Sequence, residues 1–161
     1  VSVEGPRKAL LGYVVESIIK RKVTKRRVYF PLDVLTGHAI IYGKTRTGKS
    51  FLSLIIIQEA LANEVRVKVF DPHGTLADRL SNQELLETVF TKGKADITDR
   101  LQEIYEEASS WQETNELKLL IVLDETRLLK ARNLIYCLNE LGKRGVGFIL
   151  ITQYSLSLIH I

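Results

Sequence analysis

The chain has 161 residues, of which 45% are hydrophobic and 26% charged, and a net charge of +4. That composition suits one domain with enough apolar side chains for a core, and it excludes a membrane-spanning helix, because no apolar run approaches the roughly 18 residues required. A single cysteine excludes a disulfide framework and a thiolate metal cage, and with no secretory pattern over residues 1–6 the chain reads as cytoplasmic.

Charge is unevenly placed. The first 27 residues carry eight basic side chains against two acidic ones, and the remainder is net acidic. Residues 9–17 and 28–35 are short runs rich in β-branched and aromatic residues, separated by Lys20-Arg21-Lys22-Val23-Thr24-Lys25-Arg26-Arg27. They predict a small basic β element over residues 1–37, ahead of a core over residues 38–161. The basic run fits two roles: neutralising nucleic-acid phosphates or an acidic partner, or keeping the charges of a hairpin in water. Methionine is absent, even at position 1, and the sequence stops at His160-Ile161 without a polar tail, as expected of a trimmed piece of a longer protein.

Residues 38–42 are a short apolar run ending at Gly43, the pattern of a buried strand. Residues 49–62 follow as a helix that is apolar on nearly every side. Residues 65–70 alternate as a strand and stop at the turn Asp71-Pro72-His73-Gly74. Ser81-Asn82-Gln83-Glu84 has the form of a capping box and, with Leu85, Leu86, Val89 and Phe90 behind it, predicts a helix. Another helix is predicted to begin near Asp96, where Ile97, Leu101, Ile104, Tyr105, Ala108 and Trp111 recur at helical spacing as a core stripe. Residues 117–123 are a nearly continuous apolar strand ending in Asp124-Glu125. Beyond it Leu128, Ala131, Leu134, Ile135, Leu138 and Leu141 share one helical face. Cys137 in that pattern reads as a small buried hydrophobe, and Gly142 supplies a stop. Residues 146–151 form a last apolar strand, ending in Thr152-Gln153. Strands alternating with helices predict an α/β fold, a mostly parallel sheet with helices on both faces. Ligands bind such sheets at the carboxyl ends of the strands, where Gly43, Asp71, Asp124 and Gln153 are expected to gather.

Gly43-Lys44-Thr45-Arg46-Thr47-Gly48-Lys49-Ser50 is a complete phosphate-binding loop, or P-loop, set between a predicted strand and a predicted helix. A triphosphate is a dense polyanion and needs converging N–H donors without obstructing side chains. Gly43 and Gly48 allow that approach, and the helix start adds a favourable dipole. Lys49 can reach the β- and γ-phosphates, the Ser50 hydroxyl can ligate magnesium, and Phe51 closes the stretch assigned to the nucleotide. Asp124, at a strand end, can hold the metal through water, and Glu125 is placed to polarise an attacking water as general base. Glu125 also suits the first turn of the next helix, and both roles are compatible. Gln153 reads either as a γ-phosphate sensor or as an ordinary strand-end amide. Arg144 reads either as an arginine that neutralises transition-state charge, in cis or from a neighbouring subunit, or as part of a solvated basic turn with Lys143. His73 is a turn residue, and His38 and His160 are too isolated for a metal site.

Four stretches, His38 to Ser50, Val69-Phe70-Asp71-Pro72-His73-Gly74, Leu119 to Glu125 and Gly145 to Gln153, together resemble the HerA/FtsK branch of P-loop ATPases. That branch includes DNA-pumping motors and the ATPases of conjugation and type IV secretion. The motifs stand in the family's order and cover most of residues 38–153. The loop is shared by many families, whereas the Asp-Pro-His-Gly turn with a Thr-Gln strand end is far more selective. The resemblance implies a RecA-like core, ATP with Mg2+, and a homo-oligomeric ring, usually hexameric, with double-stranded DNA passing through it. A nuclease, or a secretion or packaging component, is a further partner it implies. By carry-over, Lys49 and Ser50 bind phosphate and metal, Asp124 supports the metal, Glu125 activates water and Gln153 is the sensor. Arg144 is the nearest match to the arginine that an adjacent subunit supplies. The chain departs from the family in having Arg46-Thr47-Gly48 where many members have Gly-Ser-Gly, and Thr75 where some have an acid. The last strand and C-terminal elements of a full motor core are expected beyond Ile161.

The function so predicted is ATP hydrolysis driving DNA translocation by a ring. Two other classes share the loop. A small-molecule kinase calls for an arginine-rich lid, and residues 75–116 hold no dense arginine cluster. An ATP-binding assembly switch with little turnover is disfavoured by the intact Glu125.

Overall fold

The computed structural model describes residues 7–17, 19–44, 46–80, 84–89, 94–124 and 132–153. Strands β1 (Lys8–Ser17) and β2 (Lys22–Pro31) pair antiparallel as a two-stranded ribbon, and a 3-10 helix, Leu32–Gly37, leads from it into the core. The core sheet consists of β3 (Ala39–Tyr42), β4 (Arg66–Phe70), β5 (Leu86–Val89), β6 (Thr114–Asp124) and β7 (Arg144–Thr152). Its strands are all parallel, in the order β3-β7-β6-β4-β5. Helices α1 (Lys49–Ala62), α2 (Lys94–Ala108) and α3 (Arg132–Leu141) complete the predicted α/β architecture. No described helix is long and apolar enough to cross a membrane.

The alternation of side chains along β6 shows why both faces are covered. Leu120 and Val122 join Leu54, Ile57 and Leu61 of α1 in one buried cluster. Leu119, Ile121 and Leu123 join Ile97, Leu101 and Ile104 of α2 and Leu134 and Leu141 of α3 in the other. Successive strand residues point to opposite faces, so an unbroken apolar run is what a strand between two helical layers requires. Burying each such side chain contributes about 1.5–3 kcal/mol, which makes β6 the anchor of the sheet. The 3-10 helix is tied to the same strand: Asp33 Oδ1 accepts from Arg7 Nη2 at 2.6 Å and from the Leu117 N–H at 2.9 Å.

Three expectations are corrected. The strand before Gly43 is not buried. Among the described strands β3 pairs with β7 alone, so it forms an edge, and Ile40 and Tyr42 are exposed. The helix predicted behind the capping-box sequence is instead strand β5, paired with β4 from Leu86↔Val67 to Val89↔Phe70; residues 81–83 and Phe90 lie outside the described residues. Leu86 packs on one buried cluster and Val89 on the other, which a strand allows and a helix, with i and i+3 on one side, does not. Ile135, assigned to the buried face of α3, is exposed, because Leu134, Cys137 and Leu141 define that face. Leu128 and Ala131 lie outside the described residues. The α2 stripe packs as its spacing predicts, and Cys137 is buried, which pushes its thiol pKa up to about 11.

Candidate nucleotide-binding site

Residues 43–48 connect the end of β3 to the start of α1. Gly48 is the N-cap of α1 at φ 90°, a left-handed conformation that strains any residue with a Cβ. No side chain caps this helix start, and helix geometry leaves the first-turn N–H groups without intrahelical partners. Donors so arranged, with the positive end of the helix dipole behind them, bind anions. A Cβ at Gly43 would lie 2.5 Å from Thr47 Oγ1, which itself donates to the Lys44 carbonyl at 2.7 Å, so a side chain at the neck of the loop would have to displace that hydroxyl. Lys49 Nζ also donates to the Lys44 carbonyl, at 2.7 Å, folding its ammonium over the loop. Arg46, at φ 63°, is exposed, as are Lys44, Thr47 and Phe51, while Ser50 is half-buried. Thr45 lies outside the described residues.

Strand register brings the other strand ends to the same side of the sheet. Tyr42 pairs with Thr152, Ile151 with Asp124, and Leu123 with Phe70. Gly43, Gln153, Asp124 and Asp71 therefore stand side by side at the carboxyl ends of β3, β7, β6 and β4. With β7 between them, β3 and β6 are two strand spacings apart, about 10 Å. Asp124 and Gln153 are half-buried and Thr152 is buried. Glu125 lies outside the described residues. Arg144 is not brought to this edge. It begins β7, about 26 Å along the strand from Thr152, and its guanidinium donates to the Trp111 carbonyl.

Two residues matter more than their sequence context suggested. Asp71 is 1% exposed, and its Oδ2 accepts from the N–H groups of Leu76 at 2.7 Å and Ala77 at 3.0 Å, which fixes the Asp-Pro-His-Gly turn beside Asp124. His38, just ahead of β3, accepts at Nδ1 from the Phe148 N–H at 3.2 Å, so its Nε2 carries the proton donated to the Leu138 carbonyl at 2.6 Å. That imidazole clamps the base of the loop strand to β7 and α3. Burial holds its pKa below the ordinary histidine value, against a smaller opposing effect of the Leu138 carbonyl. Strand period and motif spacing signal neither role.

The donor set fits a nucleoside triphosphate with a hard cation. Amides and Lys49 suit phosphate oxygens, while the Ser50 hydroxyl and the Asp124 carboxylate are oxygen ligands of the kind magnesium takes. Among the described residues no three His, Cys, Asp or Glu converge on a metal. An ion at this edge would take most of its ligands from phosphate and water, as magnesium does.

Residues 17–89 match the family model described as "Helicase HerA, central domain". No curated protein matches the sequence. Among solved structures, the cytoplasmic domain of the Thermomonospora curvata type VII secretion ATPase EccC superposes with a TM-score of 0.69 at 15% identity, covering 93% of this chain and 19% of that one. The genome packaging NTPase B204 of Sulfolobus turreted icosahedral virus 2, in complex with sulfate, gives 0.57 at 17% identity, covering 72% of this chain and 64% of that one. The pCW3 conjugation coupling protein TcpA, with ATPgS, gives 0.54 at 13% identity, covering 97% and 51%. This chain thus spans between 19% and 64% of the length of these proteins. At such identities the likeness is one of fold. By that fold, and by the family match over residues 17–89, this chain resembles the HerA/FtsK-type P-loop ATPases.

Proposed function

We propose that this chain is the nucleotide-hydrolysing part of a DNA-translocating motor that works as a homo-oligomeric ring, hexameric as in the family it resembles. The observation that carries the reading is a glycine-bounded loop at a helix start, on the sheet edge where the strands of Asp124 and Gln153 end. The HerA match supports it, as do neighbours described as packaging, conjugation and secretion proteins, two of them solved with ATP analogues.

In this reading residues 43–51 hold ATP. The loop amides take phosphate oxygens, and Lys49 exchanges its bond to the Lys44 carbonyl for the β- and γ-phosphates. Mg2+ would be held by Ser50 and, through water, by Asp124, and would neutralise charge on the phosphates. Glu125 accepts a proton from the attacking water. Gln153 orients that water and senses the γ-phosphate. Arg144 enters only as a residue offered to a neighbouring subunit's site. Double-stranded DNA within the ring is the load, and a nuclease or a secretion or packaging component is the partner such a motor serves.

ATP hydrolysis measured against duplex DNA and against protein concentration tests this. A ring motor shows turnover stimulated by DNA and a specific activity that rises as rings assemble. Turnover indifferent to both excludes it.

A further inference from the structure

The β1–β2 ribbon is built in two halves. Its inner end is anchored: Ala9 is fully buried, Leu11 and Phe30 pack on the core, and the Leu10 N–H donates to Glu59 Oε2 of α1 at 3.1 Å. Its outer half, from the register pair Tyr13↔Arg27 to the turn, exposes both faces. Tyr13, Val15 and Val23 stand about half in water, as does Tyr29 opposite Leu10 in the inner half, and Ile19 at the turn is 95% exposed. A two-stranded ribbon is marginally stable alone, and apolar groups held in water this way call for a covering partner.

Charge identifies the partner. Lys20, Arg21, Lys22, Lys25, Arg26 and Arg27 are all exposed, and the one acid among the described ribbon residues, Glu16, is paired with Lys22 at 2.8 Å. Arg26 and Arg27, adjacent in the sequence, are both exposed, so the ribbon presents cations broadly rather than along one side. Arg27 Nη1 lies 3.4 Å from the Tyr29 hydroxyl, and that phenol, then Tyr13, raises the guanidinium above its usual pKa. Protein interfaces deplete lysine at their centres, whereas a nucleic-acid backbone is bound by this mixture of lysine, arginine and tyrosine. The dimensions agree. About five residues per strand reach about 16 Å beyond the anchored half, and the major groove of B-DNA, about 12 Å wide and 8.5 Å deep, admits a two-stranded ribbon.

We propose that the outer half of the β1–β2 ribbon is a duplex-DNA contact that enters the major groove, with its cations on the flanking phosphates and Ile19 at its tip. The proposal rests on the DNA-motor reading and assigns its grip to a segment outside the nucleotide site.

The test is anisotropy of a labelled duplex of arbitrary sequence with the intact chain, across a salt series. The combined variant Lys25→Gln, Arg26→Gln, Arg27→Gln is expected to lower the slope of log K against log salt by about 2–3, at about 0.9 for each phosphate no longer neutralised. Arg26→Lys with Arg27→Lys keeps the charge and the slope, which separates removal of charge from misfolding. Methylation of guanine N7 weakens binding by the parent chain. If the parent binds duplex and the glutamine variant shows the same slope, the ribbon does not touch the DNA, although the motor reading stands. If methylation changes nothing, the groove assignment is overturned. If the parent binds no duplex at all, both the ribbon and the motor reading fall.

Discussion

The backbone N–H of Gly43 donates to the carbonyl of Thr152 at 3.3 Å, one step beyond the register pair Tyr42↔Thr152. The first residue of the loop is thus bonded to the strand that delivers Gln153. Loop and strand are one hydrogen-bonded unit at this edge of the sheet.

Lys49 and Glu125 serve different steps in this account and separate experimentally. Lys49→Ala is expected to abolish nucleotide binding or turnover. Glu125→Gln is expected to bind ATP normally and to lose turnover by about 10²–10⁴-fold, the range of a general base. Nucleotide titration beside steady-state hydrolysis reads both, and normal turnover by Glu125→Gln removes that residue from catalysis.

Arg144 is remote from Asp124 within one chain, so any catalytic role must be across an interface. Chains with Arg144→Ala mixed with chains carrying Glu125→Gln then form some sites with both groups intact. Hydrolysis by the mixture is expected to exceed that of either variant alone. Should mixing restore nothing, the arginine that completes the site is another one.

His38 makes stability depend on pH. Its ring is bonded as the neutral tautomer, Nδ1 accepting from Phe148, and a second proton there faces an N–H. Burial of the ring holds the folded pKa below the ordinary 6.5, and between the two values the unfolded chain binds a proton that the folded chain refuses. This contribution is complete above about pH 6.5 and is lost as pH falls through the folded value. Thermal midpoints are expected to drop below pH 6.5 in the parent and to drop less in His38→Gln. Equal slopes in the two proteins contradict the assignment.

Much of this was legible because burial on both faces writes itself into sequence. The run Leu119–Leu123 reads as a strand between two layers, and β6 and β7 were readable for that reason, while β4 was readable by its alternation. The α2 stripe was legible by its 3.6-residue period. β5 was not, because Leu85, Leu86, Val89 and Phe90 also fit helical spacing, and only pairing with the distant β4 decides between them. The exposure of Ile40 and Tyr42 depends on strand order, which no local pattern contains. At the site, the alignment of Gly43, Asp124 and Gln153 followed from their standing at strand ends. The end of the sheet that Arg144 occupies was not legible, because Gly142-Lys143-Arg144 marks a turn without saying where it lies. His38 and Asp71 act through bonds to backbone groups of other segments, and those become visible only with the fold.

Residues 43–50 are expected to wrap a polyphosphate facing Asp124, and a crystal structure of this chain with ATPγS and Mg2+ decides the point. Such a structure is expected to hold the β- and γ-phosphates within the loop, with Lys49 Nζ moved from the Lys44 carbonyl onto them and Asp124 turned toward the cation. Nucleotide bound elsewhere, or bound at the loop with Asp124 and Gln153 remote from the γ-phosphate, contradicts it.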